Sequence, residues 1–230
     1  MRQKNKIVIM IPARLGSQRI LLKALQPVHN RFLTCYIIDV CKEVVSDWKN
    51  IYLNASESVF ESIAKQEKIN YYKRPDRLSS SSVTNNEYIY DFLKNIPCDY
   101  VIQANLTSPF LTKKDISGFI KKLTTEQYDL LFSVKEIRSE ALYDNKPLTF
   151  SYGGSKQNSQ NIKPLHIICW GLTGIRSKTF IKNYEQDGKA IFGHKGDKIG
   201  YYLLSGLSTI DIDYPDDLEL TRLLMKEKKQ

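Results

Sequence analysis

Residues 6–12, KIVIMIP, form an unbroken apolar run that stops at proline, the pattern of a strand buried on both faces of a parallel sheet. Apolar positions then recur at helical spacing over 33–45, and a short strand pattern follows at 49–54. A helix is predicted over 56–66 with Ser56 as its N-cap, a strand over 69–73 ahead of the Arg74-Pro75 break, and a helix over 86–95. The run DYVIQAN at 99–105 predicts the next strand, and Thr112 opens the helix after it. Such alternation of strand and helix predicts an α/β fold, a doubly wound, mostly parallel sheet with helices on both faces.

From about residue 129 the rhythm changes. A strand is expected at 130–135, but 138–165 is polar, holds Gly153-Gly154 and two prolines, and is too long for an ordinary connection. It reads as an insertion or hairpin arm. Strand patterns return at 165–175 and 199–204, and a helix over 216–228 finishes the chain. With 230 residues and 42% hydrophobic content, one domain spanning 1–230 can bury a sizeable core.

The longest apolar stretches, Ile7 to Pro12 and Tyr36 to Val40, fall far short of the roughly 20 residues of a membrane span. The start, MRQKNKIVIMIPAR, is basic but lacks an export-type apolar region. Cysteines 35, 41, 98 and 169 show neither a C-x-x-C pair nor metal-ligand spacing, so reduced thiols in a cytoplasmic protein are expected. The formal charge of +9 suits either nucleic acid or an anionic small molecule. Part of it lies at the ends, on Arg2, Lys4, Lys6, Lys226, Lys228 and Lys229, where it reads as solvated tail. The rest is neither on one helix face nor interleaved with aromatics, which argues against a nucleic-acid partner.

The informative cations are Arg14, Arg19 and Lys23, in the loop PARLGSQRILLK after the first strand, since ligands of parallel sheets collect at strand carboxyl ends. Gly16 and Ser17 offer a tight turn with exposed amide N–H groups, and the three cations can neutralise a triphosphate. The loop matches neither G-x-x-x-x-G-K-[ST] nor G-x-G-x-x-G, so a different kind of phosphate loop is required. Near the other end, TIDIDYPDDL places Asp211 and Asp213 on one face of an expected strand with Ile212 on the other. Two carboxylates facing one way repel unless a cation lies between them, and beside a triphosphate such a pair suits Mg²⁺. Asp216 and Asp217 read as caps of the last helix.

The loop closely resembles the signature of the CMP-sugar synthetases, approximately I-P-A-R-x-G-S-K-x-I-P-x-K-N, a family that includes acylneuraminate and 3-deoxy-manno-octulosonate cytidylyltransferases. The resemblance implies a Rossmann-like nucleotidyltransferase that joins CTP to an acidic sugar, releases pyrophosphate and dimerises through an arm, here 138–165. It implies nucleotide binding by Arg14, Leu15, Gly16, Ser17, Gln18, Arg19 and Lys23, with Arg14, Lys23 and Asp211 carrying catalysis and Asp211 and Asp213 holding metal. Arg74-Pro75-Asp76-Arg77-Leu78 is similar to the family segment beneath the cytosine base, which adds Arg74, Val83 and Asn85 to the nucleotide site. QANLTSPFL resembles the family's Q-P-T-S-P-L segment and assigns Asn105 and Thr107 to the sugar, with Trp170 standing where sialic-acid enzymes commonly carry asparagine. Departures are Gln18 for lysine, Leu21 for proline, Ala24 for asparagine and Ser81 for aspartate. They leave two alternatives, a nucleotidyltransferase for another nucleotide or sugar 1-phosphate, and a catalytically impaired CTP-binding homologue.

Overall fold

The computed structural model describes residues 5–227; Arg2, Lys4, Lys228 and Lys229, named above for their charge or as the end of the last helix, lie outside them. In chain order the elements are β1 (Ile7–Pro12), the hairpin β2 (Pro27–Val28) and β3 (Arg31–Phe32), α1 (Leu33–Val44), β4 (Ile51–Ala55), α2 (Ser58–Gln66) and β5 (Asn70–Lys73). They continue with α3 (Asn85–Asn95), β6 (Tyr100–Ala104), α4 (Lys113–Thr125), β7 (Leu130–Ile137) and the small hairpin β8 (Leu142–Tyr143) and β9 (Lys146–Pro147). The last are β10 (Leu165–Arg176), α5 (Ser177–Asp187), β11 (Ile199–Leu203) and α6 (Pro215–Glu227).

Seven strands form one sheet in the order β11-β7-β10-β6-β1-β4-β5. All pairings are parallel except those of β10, which runs antiparallel to both β6 and β7. The apolar run of β1 sits at the centre because both its faces are covered. Ile9 and Ile11 join a core with Ile38 of α1, Phe60 of α2 and Phe119 of α4, while Val8 and Met10 join another with Phe92 of α3 and Phe180 of α5. That two-sided burial explains a sequence with no polar alternation.

The doubly wound α/β reading holds, with differences at element edges. Thr112 caps α4 as expected, in a reciprocal box with Asp115. Ser56 does not cap α2; Glu57 occupies that position, and the Ser56 hydroxyl donates to Glu57 Oε2 at 3.0 Å. Residues 211–213 are not a strand but an irregular segment outside the sheet, tied by the Ile212 amide donating to the Thr107 carbonyl at 2.9 Å. Ile212 is nevertheless fully buried, so the two carboxylates flanking it are turned away from the core. Asp217 Oδ2 accepts from the amides of Asp213 and Tyr214 at 2.9 and 2.8 Å, the capping job expected of it, while Asp216 only places its charge in the first turn, and Pro215 opens α6. The 138–165 stretch carries the β8–β9 hairpin and leaves Leu142, Tyr143, Leu148 and Tyr152 exposed.

Behind the sheet, the end of α2 is fastened to its neighbours by charge. Glu67 accepts from Arg31 Nη2 at 2.6 Å and from Lys42 Nζ at 2.5 Å. Burial pushes this carboxyl up, but the Lys42 and Arg31 cations outweigh it and hold the group below the usual carboxylate range. A depressed carboxyl adds stability above its unfolded value, and that stability is lost as pH falls through the folded value. Glu67→Gln should therefore cost about 1–2 kcal/mol in urea unfolding at neutral pH, and its gap from wild type should close once acid protonates the native carboxyl.

Candidate active site

At the carboxyl ends of the central strands lies a cavity of about 570 Å³, a size that suits a small-molecule ligand. Its walls come from the loop after β1, the segment after β5, the start of α3, the end of β6, the middle of β10 and the stretch before α6. Four cations, Arg14, Arg19, Lys23 and Arg74, face it against two carboxylates, Asp211 and Asp213. The excess of positive charge favours an anionic ligand.

The loop after β1 is held by an alternating pattern of backbone bonds. Ala13 N–H donates to the Asn54 carbonyl at 3.0 Å, Leu15 N–H to Glu57 Oε1 at 2.8 Å, Ser17 N–H to the Leu15 carbonyl at 2.8 Å, and Ile20 N–H to Ser17 Oγ at 3.4 Å. The amides of Gly16, Gln18 and Arg19 find no acceptor among the described residues. Of these only Gln18 and Arg19 are successive, and two neighbouring free N–H groups in a turn are the geometry from which anion-binding nests are built. Leu15 and Gly16 are not themselves cavity-lining residues, whereas Ser17, Gln18 and Arg19 are.

Lys23 and Arg19 cross from this loop to the other end of the chain. Lys23 Nζ donates to the Ile212 carbonyl at 2.6 Å and lies 3.2 Å from Asp213 Oδ1; Arg19 Nη2 meets the same oxygen at 2.5 Å and its guanidinium stacks 5.0 Å from the Tyr214 ring. Arg14 Nη1 donates to the Ser80 carbonyl at 3.1 Å, fastening the loop to the serine run. Asp211 differs from Asp213. Its Oδ1 is buried without a hydrogen-bond partner, and burial pushes its carboxyl up, only partly offset by a hydrogen bond with Thr107. Keeping an ionised oxygen in that state is costly unless something positive completes it.

The floor is built by Arg74, 3% exposed. Its Nε donates to Asn54 Oδ1 at 2.8 Å, its Nη2 to the Ala13 carbonyl at 3.1 Å and to the Asn54 carbonyl, and its guanidinium lies 4.8 Å from the Tyr88 ring centre. Among the described residues it has no carboxylate partner, and burial pulls its pKa below the ordinary value. Carbonyl dipoles, the Tyr88 ring face and the more distant charge of Glu57 offset that burial in place of a direct ion pair. From Tyr88 a polar chain crosses the cavity wall. Its hydroxyl lies 2.9 Å from Asn85 Oδ1 and 3.2 Å from Gln103 Oε1, Gln103 Nε2 donates to Asn105 Oδ1 at 3.1 Å, and Asn105 Nδ2 donates to the Trp170 carbonyl at 2.6 Å.

Trp170 sits in a bulge of β10 where the register with β7 breaks between Ile168 and Thr173, and its backbone is left-handed, φ 55°. For a bulky residue that conformation costs roughly 1–2 kcal/mol. The Asn105 amide holds the bulge, and the indole lines the cavity edge-on to Phe132 and Phe192. Val83, Asn85, Asn105 and Thr107 also line the cavity, so every residue assigned to the nucleotide, sugar, metal or catalytic site from the sequence except Leu15 and Gly16 lines it. Lining residues that the sequence did not assign to the site are Pro12, Ala13, Ala24, Leu78, Ser80, Tyr88, Gln103 and Leu106. Gln103 was within reach, since a glutamine in a five-residue strand buried throughout is out of place unless it has partners.

Comparison with known proteins gives a consistent picture. Residues 8–164, more than half of the chain, match the family model described as cytidylyltransferase. No curated protein matches it significantly in sequence. Among solved structures it is similar to a CMP:2-keto-3-deoxy-manno-octonic acid synthetase complexed with CTP, with TM-score 0.76, 16% identity and coverage of 97% of this chain and 99% of the other. It also resembles a cytidylyltransferase from Leptospira borgpetersenii, with TM-score 0.66, 13% identity and coverage of 97% and 88%. A 4-diphosphocytidyl-2C-methyl-D-erythritol synthase from Anaerococcus prevotii gives TM-score 0.67, 14% identity and coverage of 96% of both chains. At these identities the likeness establishes the fold.

Arg74 is the residue whose removal should damage the cavity most directly. Arg74→Met leaves the carbonyls of Ala13 and Asn54 without their donor and should cost about 2–4 kcal/mol in denaturant unfolding. Arg74→Lys should recover only part, because an ammonium cannot span the same fork of acceptors.

Proposed function

Since the chain belongs to the cytidylyltransferase family, we propose that it couples CTP to an acidic sugar of the sialic-acid or octulosonate type, giving a CMP-sugar and pyrophosphate. The observation that carries this reading is the convergence of the loop after β1 and the 211–213 segment on one cavity, sealed by Arg19 and Lys23 on Asp213. The three unpaired amides and the Arg14, Arg19 and Lys23 cations suit a triphosphate. Gln18 removes one cation relative to related loops, and Arg19 supplies one next to it. Arg74, Val83, Asn85 and Tyr88 would then surround the base, and Asn105, Thr107 and Trp170 the acceptor.

In this reading a hydroxyl oxygen of the acceptor forms a bond to the α-phosphorus of CTP in line with the bond that breaks, the one to the bridging oxygen of the leaving pyrophosphate. The chain's work is positioning and charge neutralisation. Arg14 and Lys23 offset the charge that grows on the leaving phosphates, and Arg19 adds to them once phosphate oxygens replace Asp213 as its partner. No side chain needs to become covalently attached.

The residues present fit Mg²⁺. Asp211 Oδ1 is a buried oxygen without a partner, Asp213 stands two residues on, and phosphate oxygens with water would supply the remaining ligands. Bound there, the ion would neutralise phosphate charge and make the phosphorus more electrophilic. Asp211 and Asp213 would hold it, with the Thr107 side chain as the neighbour that helps keep Asp211 ionised.

Incubation with CTP, Mg²⁺ and a panel of sialic, legionaminic, pseudaminic and octulosonic acids should release pyrophosphate with at least one of them; release with none overturns the reading. CTP should raise the melting temperature while GTP, UTP and ATP do not. Asp211→Asn should lower turnover by about two orders of magnitude or more. It should leave the melting temperature unchanged or raised, because a buried carboxylate with an unpaired oxygen becomes neutral. The exposed apolar side chains of the 138–165 arm suit a homodimer contact, and light scattering at micromolar concentration should report a dimer; a monomer removes that assignment.

A further inference from the structure

We propose that Glu57 is a positioning residue for the phosphate loop, fixing the direction of its amides before any ligand arrives. This deepens the reading of residues 14–19 as a phosphate site and rests on it. Glu57 lies at the N-terminus of α2, where a side chain ordinarily caps its own helix, yet it makes no capping bond. Its carboxylate turns the other way and accepts the Leu15 amide at 2.8 Å, while Ser56 Oγ donates to the second oxygen at 3.0 Å and fixes the rotamer. The two partners are 42 residues apart in sequence.

A carboxylate beside a triphosphate site is electrostatically adverse unless it serves the shape of the site. Glu57 is not among the cavity-lining residues: its carboxylate faces Leu15 N–H, and its charge reaches the cavity only through the buried Arg74 guanidinium that it helps to stabilise. With Leu15 N–H directed at Glu57 and Ala13 N–H at the Asn54 carbonyl, the chain alternates between bonds to the scaffold and unpaired groups, and the amides of Gly16, Gln18 and Arg19 are left for an anion. If the Leu15 amide were released, the peptide planes on either side could rotate, and ordering them would fall to the ligand. A charge-assisted acceptor is about twice as strong as a neutral one, which accounts for glutamate at a position where geometry alone asks only for an oxygen of sufficient reach.

The test uses the full chain with Glu57→Ala and Glu57→Gln, and two probes, inorganic tripolyphosphate and CTP, measured by calorimetry. Glu57→Ala should weaken both probes by about tenfold, whereas Glu57→Gln, which keeps an acceptor oxygen, should stay within about threefold of wild type. Glu57→Ala loses the Leu15 and Ser56 bonds, so its melting temperature should fall modestly while that of Glu57→Gln stays near wild type, and amide exchange at Leu15 should accelerate in Glu57→Ala. Unchanged tripolyphosphate affinity in Glu57→Ala, or a Gln variant as weak as the Ala variant, overturns the proposal. Wild-type protein that binds tripolyphosphate but not CTP leaves this assignment standing and removes the cytidylyl reading; wild-type protein that binds neither removes both.

Discussion

The cavity depends on a charge contact between the two ends of the chain. Arg19 and Lys23 leave the first loop and share one oxygen of Asp213, more than 180 residues later in sequence. In the open that contact would be worth little, since Arg19 is about half exposed and salt screens it. Lys23 is different, being mostly covered and bonded also to the Ile212 carbonyl. Its position fixes how far the 211–213 segment can move from the loop, and that distance defines the cavity. The same contact pairs the site's cations with one of its anions, so a ligand carrying several phosphates can enter by exchanging partners instead of by filling an uncompensated charge.

What surrounds this contact is made rigid by backbone bonding. Strands β1, β4 and β6 end side by side, and Arg74 gathers acceptors from Asn54 at the end of β4 and from Ala13 just after β1. Arg74 is a buried cation answered by dipoles and an aromatic face, with carbonyls of β4 and of the first loop both on its guanidinium. Such an arrangement is stable only if the geometry is met all at once. The floor of the cavity therefore couples the loop to the sheet, and the polar chain from Tyr88 to Trp170 extends that coupling to the bulge in β10.

The two carboxylates before α6 have divided roles. Asp213 is occupied by cations, while Asp211 keeps a buried oxygen without a partner. One is satisfied in the protein alone and the other is not, which makes Asp211 the residue with the most to gain from a bound cation. Among the described residues no group of three or more potential metal ligands converges. A cation held here would have to draw further ligands from outside the protein, an arrangement natural to Mg²⁺.

Most of the fold was legible in the pattern of apolar residues, because burial on two faces leaves an unbroken run such as that of β1, and helices of this kind show one apolar stripe. Much of the site was legible too. Loops at strand ends collect ligands in parallel sheets, and two aspartates spaced by a buried isoleucine point to a common direction; both line the cavity here although the segment lies outside the sheet. What the sequence could not contain is long-range pairing. That Glu57 turns from its own helix to Leu15, that Gln103 and Tyr88 join Asn85 to Asn105, and that Trp170 is bent into the cavity by a bulge are consequences of which elements pack together. Local propensity assigns a side chain to a helix cap or a strand face; only the packed structure decides which distant polar group it must satisfy once water is excluded.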